Sequence, residues 1–187
     1  MEKTYSDLEQ AYKKILTDNN GSFRGLCESY KGNCMLDVLK QHLNVIKTCK
    51  SGVIGGNCFP KEFFQQNGIK KTMNSTAYTQ QIGAVLSNGS GFDIWTYDLE
   101  SCTNQVVMDL TGENWPVCAL IRVDVNGLAK PNIIGKDIYL AYVLANRIVP
   151  AGSIDDPDFS TNNPKIHCVE GSSNSTGYGC SAKYLME

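Results

Sequence analysis

The hydrophobic rhythm of this 187-residue chain changes near residue 78. Before that point, apolar positions recur every three or four residues. Leu8, Ala11, Tyr12, Ile15 and Leu16 lie at helical spacing, with Glu9, Gln10, Lys13 and Lys14 between them, which is the pattern of an amphipathic helix. Ser6-Asp7-Leu8-Glu9 matches a capping box at its start, and Asn19-Asn20-Gly21 supplies a stop. Leu36, Leu39, Leu43 and Ile46 form a second stripe and predict a helix from about Cys34 to Lys47. Pro60, suited to a first helical position, predicts a short helix to Gln66.

From Tyr78 onward the pattern is that of strands. Ile82–Leu86 and Phe92–Tyr97 flank Ser87-Asn88-Gly89-Ser90-Gly91, which predicts a hairpin. An irregular strand is expected from Asn104 to Asp109, and two regular ones at Val117–Val125 and Ile138–Leu144. The segment from Pro150 to about Tyr178 is rich in Gly, Ser, Asn, Asp and Pro, so it is expected to be loop. This order predicts one α+β domain: a long N-terminal amphipathic helix (1–20) packed on an antiparallel sheet of about four strands (77–149). Between them lies a helical connection (21–76), and a loop follows the sheet (150–187).

Composition adds one strong fact. Cys27, Cys34, Cys49, Cys58, Cys102, Cys118, Cys168 and Cys180 are even in number, and none is spaced C-x-x-C. Zinc sites and thioredoxin-like redox motifs usually show that spacing, so disulfides and an oxidising compartment are expected. The cysteines fall into four local couples around loop-like segments: Cys27/Cys34, Cys49/Cys58, Cys102/Cys118 and Cys168/Cys180. Local pairing costs little loop entropy, so these four bridges are the expected ones. Residues 1–25 contain no apolar run of signal-peptide length, so an export or membrane segment is expected to precede them. The net charge is −2 and no segment forms a basic stripe, so no nucleic-acid partner is expected; a patch assembled by folding stays open.

Val123-Asp124-Val125-Asn126-Gly127-Leu128-Ala129-Lys130-Pro131-Asn132-Ile133-Ile134-Gly135-Lys136-Asp137-Ile138-Tyr139 joins the last two strands. It resembles the D-x-N-G…P-N…G-x-D motif of type IV pilin-like proteins, the pilins and type II secretion pseudopilins. Glu9–Ile15 resembles the exposed half of that family's N-terminal helix. Gly177–Leu185, G-Y-G-C-S-A-K-Y-L, resembles its C-terminal segment, and Cys49…Cys58-Phe59-Pro60 is also similar to the group. The resemblance implies a pilin-like domain lacking the apolar helix that anchors such proteins in the inner membrane. It further implies a non-catalytic filament subunit (pilin, minor pilin or pseudopilin) whose partners are other such subunits. Leu8, Ala11, Tyr12, Ile15 and Leu16 would join head to shaft, and the protein would end in a periplasmic or extracellular filament. A secreted adhesin or binding module is the alternative.

Asn126-Gly127 is a strong turn pair, and a plain structural turn accounts for the 124–137 segment. Asp124, Asn126 and Asp137 are candidate calcium ligands, although the spacing is not that of an EF-hand. Asp155-Asp156-Pro157-Asp158 reads as a solvated loop. No zinc-protease, serine-hydrolase or phosphate-loop motif occurs, the cysteines are expected to be paired, and His42 and His167 suggest no base, so no enzyme and no cofactor are expected. Asn20, Asn74, Asn88 and Asn174 begin glycosylation sequons that Asn/Ser/Gly-rich loops produce by chance.

Overall fold

The computed structural model describes residues 2–73, 80–102, 117–153, 168, 173 and 175–185. In chain order the elements are α1 (Glu2–Asp18), α2 (Gly32–Lys40), β1 (Val45–Cys49), β2 (Glu62–Phe64), β3 (Lys70–Thr72), β4 (Gln81–Leu86), β5 (Gly91–Thr96), β6 (Val117–Asp124), β7 (Ile138–Leu144) and β8 (Ile148–Pro150). A single 3₁₀ turn (Tyr178–Cys180) then leads into α3 (Ser181–Leu185). Strands β1-β4-β5-β6-β7-β8, in that order, make one antiparallel sheet, and β2 pairs with β3 as a separate hairpin. Among the described residues no helix is long and apolar enough to cross a membrane.

The α+β expectation is therefore corrected. Among the described residues the structure is mostly β, with a six-stranded sheet in place of about four strands, and the three helices there are short. The N-terminal helix, expected to be long and to run through residue 20, is short and ends at Asp18. The error has a physical source in short apolar runs, where helical and strand periods cannot be told apart. Val45-Ile46-Lys47-Thr48 is β-branched apart from Lys47. It pairs with β4 from Val45↔Leu86 to Cys49↔Gly83, so α2 stops at Lys40 instead of continuing to Lys47. Glu62-Phe63-Phe64, expected to be helical after Pro60, pairs with Lys70-Lys71-Thr72. The capping box is also misplaced, because α1 starts at Glu2 and Ser6 lies inside it, accepting a hydrogen bond from Gln10 at 3.1 Å. The stop at Asn20-Gly21 is as expected: Asn20 has φ 53°, and the Gly21 amide donates to the Leu16 carbonyl at 2.8 Å. The hairpin β4–β5 and strands β6 and β7 also lie where the alternation puts them. The expected strand 104–109 lies outside the described residues.

Alternation sorts the sheet into two faces. Ile82, Ile94 and Ile121 lie in register across β4, β5 and β6, as do Ala84, Phe92 and Val123. These six residues form the main core with Leu8, Ala11, Tyr12 and Ile15 of α1 and with Met35, Leu36 and Leu39 of α2. Tyr12 stacks on Phe23 at 5.2 Å and its hydroxyl donates to the Leu144 carbonyl, so even the polar tip of the helix stripe is satisfied inside.

The opposite face is covered as well. Cys49, Ile54, Cys58, Phe59, Phe63 and Met73 form a second cluster over it, and Leu140, Tyr142, Leu144, Val149 and Ala151 belong to a third. Gly91 allows the close approach this cover needs, since a Cβ there would lie 2.2 Å from the Cys58 carbonyl oxygen. With both faces covered, every residue of β7 is buried.

Removing the ring in Phe92→Ala, at the centre of the main core, should lower the unfolding free energy by about 3–5 kcal/mol. Ile46→Ala, at a side chain 64% exposed, should change it by less than about 0.5 kcal/mol. Chemical denaturation followed by circular dichroism measures both.

Candidate functional site

The segment linking β6 to β7 folds around two carboxylates. Asp124 is the last residue of β6, Asp137 directly precedes β7, and both are buried. Asp137 accepts hydrogen bonds from the Asn132 amide (2.7 Å), the Ile133 amide and the Asn126 side chain (3.1 Å). Asp124 accepts from the Asn126 amide at 3.2 Å. With its side-chain nitrogen inward, Asn132 donates to Asp124 Oδ2 at 3.2 Å and to the Ala129 carbonyl at 2.7 Å. The ladder closes around the loop through the Val125 amide, which donates to the Asp137 carbonyl at 2.9 Å. Neither carboxylate joins an ion pair among the described residues. Burial, reinforced by the charge of Asp137, raises the Asp124 carboxyl to about pH 8.

The structure thus brings the three candidate calcium ligands together, but Asn126 meets Asp137 as a donor. Among the described residues there is no cluster of three or more His, Cys, Asp or Glu side chains that could hold a metal. Turning the Asn126 and Asn132 amides over would point their oxygens at the carboxylates. That is the rearrangement in which this loop could hold a hard cation such as calcium.

The loop also anchors the C-terminal segment. Gly135 has φ +81°, and a Cβ there would come within 2.8 Å of the Gly177 carbonyl oxygen and 2.9 Å of Cys180 Cβ. The tip of the β2–β3 hairpin joins the same knot. The Asn67 amide donates to the Ser175 carbonyl at 2.9 Å, Ser175 donates its hydroxyl to Gln66 Oε1 at 2.6 Å, and Gln66 Nε2 lies 3.2 Å from Cys180 Sγ. The Leu140 amide of β7 donates to Ser181 Oγ at 2.7 Å.

A second polar cluster was not foreseen from the sequence. Asp93 on β5 faces its register partner Arg122 on β6, and the guanidinium binds the carboxylate with two nitrogens, at 2.9 and 2.7 Å. Gln81 donates to the same carboxylate at 2.9 Å. The guanidinium lies 5.1 Å from the ring centre of Phe59 and 5.5 Å from that of Phe63. The available signal was one charge of each sign interrupting apolar alternation, in Phe92-Asp93-Ile94 and Ile121-Arg122-Val123.

The remaining expected residues are placed as follows. All four disulfides form with the local pairing: Cys27–Cys34, Cys49–Cys58, Cys102–Cys118 and Cys168–Cys180. They indicate an oxidising, exported compartment. Leu8, Ala11, Tyr12 and Ile15 are buried in the main core, with Leu16 partly buried against it. His42 follows α2 and lies 3.8 Å from Asp18. Asn88 is engaged in the hairpin turn, donating to Thr4 Oγ1 at 3.2 Å and accepting from the Ser90 amide at 3.0 Å, whereas Asn20 is exposed. His167, Asn74, Asn174 and the 155–158 acidic cluster lie outside the described residues. No protein-family profile, curated protein or solved structure matches the chain.

Two measurements probe these clusters. Because the folded state raises the Asp124 carboxyl from its ordinary 3.8 to about 8, folded chains hold a proton there that unfolded chains release. The associated stability is present at acid pH and is lost as pH rises through that window. In chelator, Asp124→Asn should melt with the parent near about pH 4 and above it near about pH 8, as read by thermal melts; parallel pH profiles contradict this. Arg122→Met should cost about 3–5 kcal/mol by leaving Asp93 buried and unpaired, and Arg122→Met/Asp93→Leu should cost less. Equilibrium denaturation of both variants checks the order.

Proposed function

We propose that the chain is the exported, non-catalytic head of a filament subunit of the type IV pilin-like or type II secretion pseudopilin kind. One observation carries the reading. Two of the segments whose sequences resemble that family, 124–137 and Gly177–Leu185, are packed against each other at Gly135, and a disulfide ends at Cys180 within the second. The motif residues are thus employed in shaping a rigid, cross-linked head. The polar groups found at its centre are bonded to one another, as Asp93 is to Arg122 and Asp137 is to the loop amides, which leaves them poorly suited to turnover.

In this reading Leu8, Ala11, Tyr12 and Ile15 fasten α1 to the head, and the exposed Gln10, Lys13, Lys14 and Thr17 face neighbouring subunits. An apolar segment preceding α1 would hold the protein in the inner membrane before assembly. The 124–137 loop serves as a structural turn and needs no calcium.

The test uses the full-length protein in its own cells. Filaments sheared from the surface should contain this chain, and copies carrying Lys13→Cys should cross-link to neighbours within that fraction. Recovery only as a soluble monomer, released by an ordinary cleaved signal peptide, would establish the secreted binding module instead. Calcium that raises the melting temperature of the parent but not of Asp124→Asn would overturn the plain-turn assignment.

A further inference from the structure

The net charge of −2 conceals an uneven distribution. Between Val38 and Phe92 the chain carries Lys40, Lys47, Lys50, Lys61, Lys70 and Lys71, and Glu62 is the only carboxylate. Folding gathers part of this excess on the layer that covers the sheet opposite the helices. Lys47 donates to the Asn57 carbonyl at 2.9 Å, and the adjacent Gly56 lies against Lys61. Lys70 is 2.5 Å from the Glu62 carboxylate. The hydrogen bond from Lys70 holds Glu62 below the ordinary carboxylate range, and the charges of Lys61 and Lys130 act in the same direction. Lys61 directly precedes Glu62 in the chain, and the 124–137 loop that carries Lys130 runs beside β2, where the Phe64 amide donates to the Asn132 carbonyl at 2.9 Å and the Ile134 amide to the Phe64 carbonyl at 2.8 Å. Lys47, Lys61, Lys70 and Lys130 are all exposed.

A second observation concerns the same chain segments. The large apolar side chains exposed among the described residues are Ile46 (64%), Val53 (55%), Ile69 (52%), Tyr30 (50%), Leu128 (48%) and Phe64 (38%). All but Tyr30 lie on the segments that carry these lysines. Ammonium groups set among exposed aliphatic side chains suit a partner that is anionic at its surface and apolar just beneath it. A single-stranded nucleic acid would be better served by several aromatic faces and by arginine; here Phe64 is the sole aromatic and every cation is lysine.

We propose that this flank docks on an anionic lipid bilayer, with Lys61, Lys70 and Lys130 at the headgroup phosphates and Val53, Ile69 and Leu128 entering the boundary between headgroups and acyl chains. The inference is independent of the filament reading, because it uses neither α1 nor the family resemblance.

Co-sedimentation with vesicles tests it. The probes are vesicles of phosphatidylcholine alone and of phosphatidylcholine mixed three to one with phosphatidylglycerol. The protein should sediment with the mixed vesicles at low salt, much less with phosphatidylcholine alone, and progressively less as salt rises. Replacing Lys61, Lys70 and Lys130 by Gln should weaken partitioning by about fivefold for each lysine removed. Val53→Ser/Ile69→Ser should weaken it while leaving the salt dependence unchanged. These side chains are exposed, and thermal melts matching the parent will show that the variants fold. The proposal is overturned if the mixed vesicles do not bind at low salt, or if the triple lysine variant binds as the parent does. It is also overturned if a single-stranded oligonucleotide binds more tightly than the vesicles, which would assign the patch to nucleic acid.

Discussion

The Arg122–Asp93 pair sets the terms for the rest of the architecture. It sits near the middle of a six-stranded sheet, on the face turned away from the helices. A charge pair withdrawn from water is tolerated only when its hydrogen-bonding capacity is filled and water is replaced by something ordered. Gln81 takes up the carboxylate, and Phe59 and Phe63 lie against the guanidinium. Phe59 is held by the loop that Cys49–Cys58 closes, and Phe63 belongs to the β2–β3 hairpin. The pair thus requires a third layer over the sheet and fixes where that layer lies. A two-layer arrangement of helices on a sheet would leave the same two charges at a half-wet surface, where they would specify little.

The second polar centre works differently. Asp124 and Asp137 have no cationic partner among the described residues; backbone amides and two asparagines hold them. The loop is a closed network of donors and acceptors rather than an ion pair. Its glycine lets the C-terminal segment come into direct contact, and that segment in turn hydrogen-bonds to the β2–β3 hairpin and to β7. Chain segments far apart in sequence are joined here by polar contacts, while the helix side of the sheet is joined by apolar ones.

How much of this could be read in the sequence depended on the length of each pattern. The hairpin β4–β5 and strands β6 and β7 were legible because six to eight residues of alternation or continuous apolar character admit few other structures. Strands β1, β2, β3 and β8 were not, because three to five residues fit a helix stripe equally well and only pairing across the sheet decides. The gathering of Asp124, Asn126 and Asp137 was legible from one turn signature. The Arg122–Asp93 contact was not, because it depends on the register between strands, and a shift of one residue would send the two side chains to opposite faces.

Each disulfide closes a short stretch of chain, with separations of 7, 9, 16 and 12 residues, and three of them touch the sheet or its cover directly. The ends of those stretches are therefore positioned by a covalent bond and by the framework, whatever lies between them. Closure entropy grows only slowly with length, so the length of an enclosed stretch costs the framework little, whereas Ile54, Ser175 and Gly177, which the bridges enclose, are tied into the packing around them. The bridges therefore act as clasps: a single backbone cut between two paired cysteines would leave both ends joined and the framework still connected.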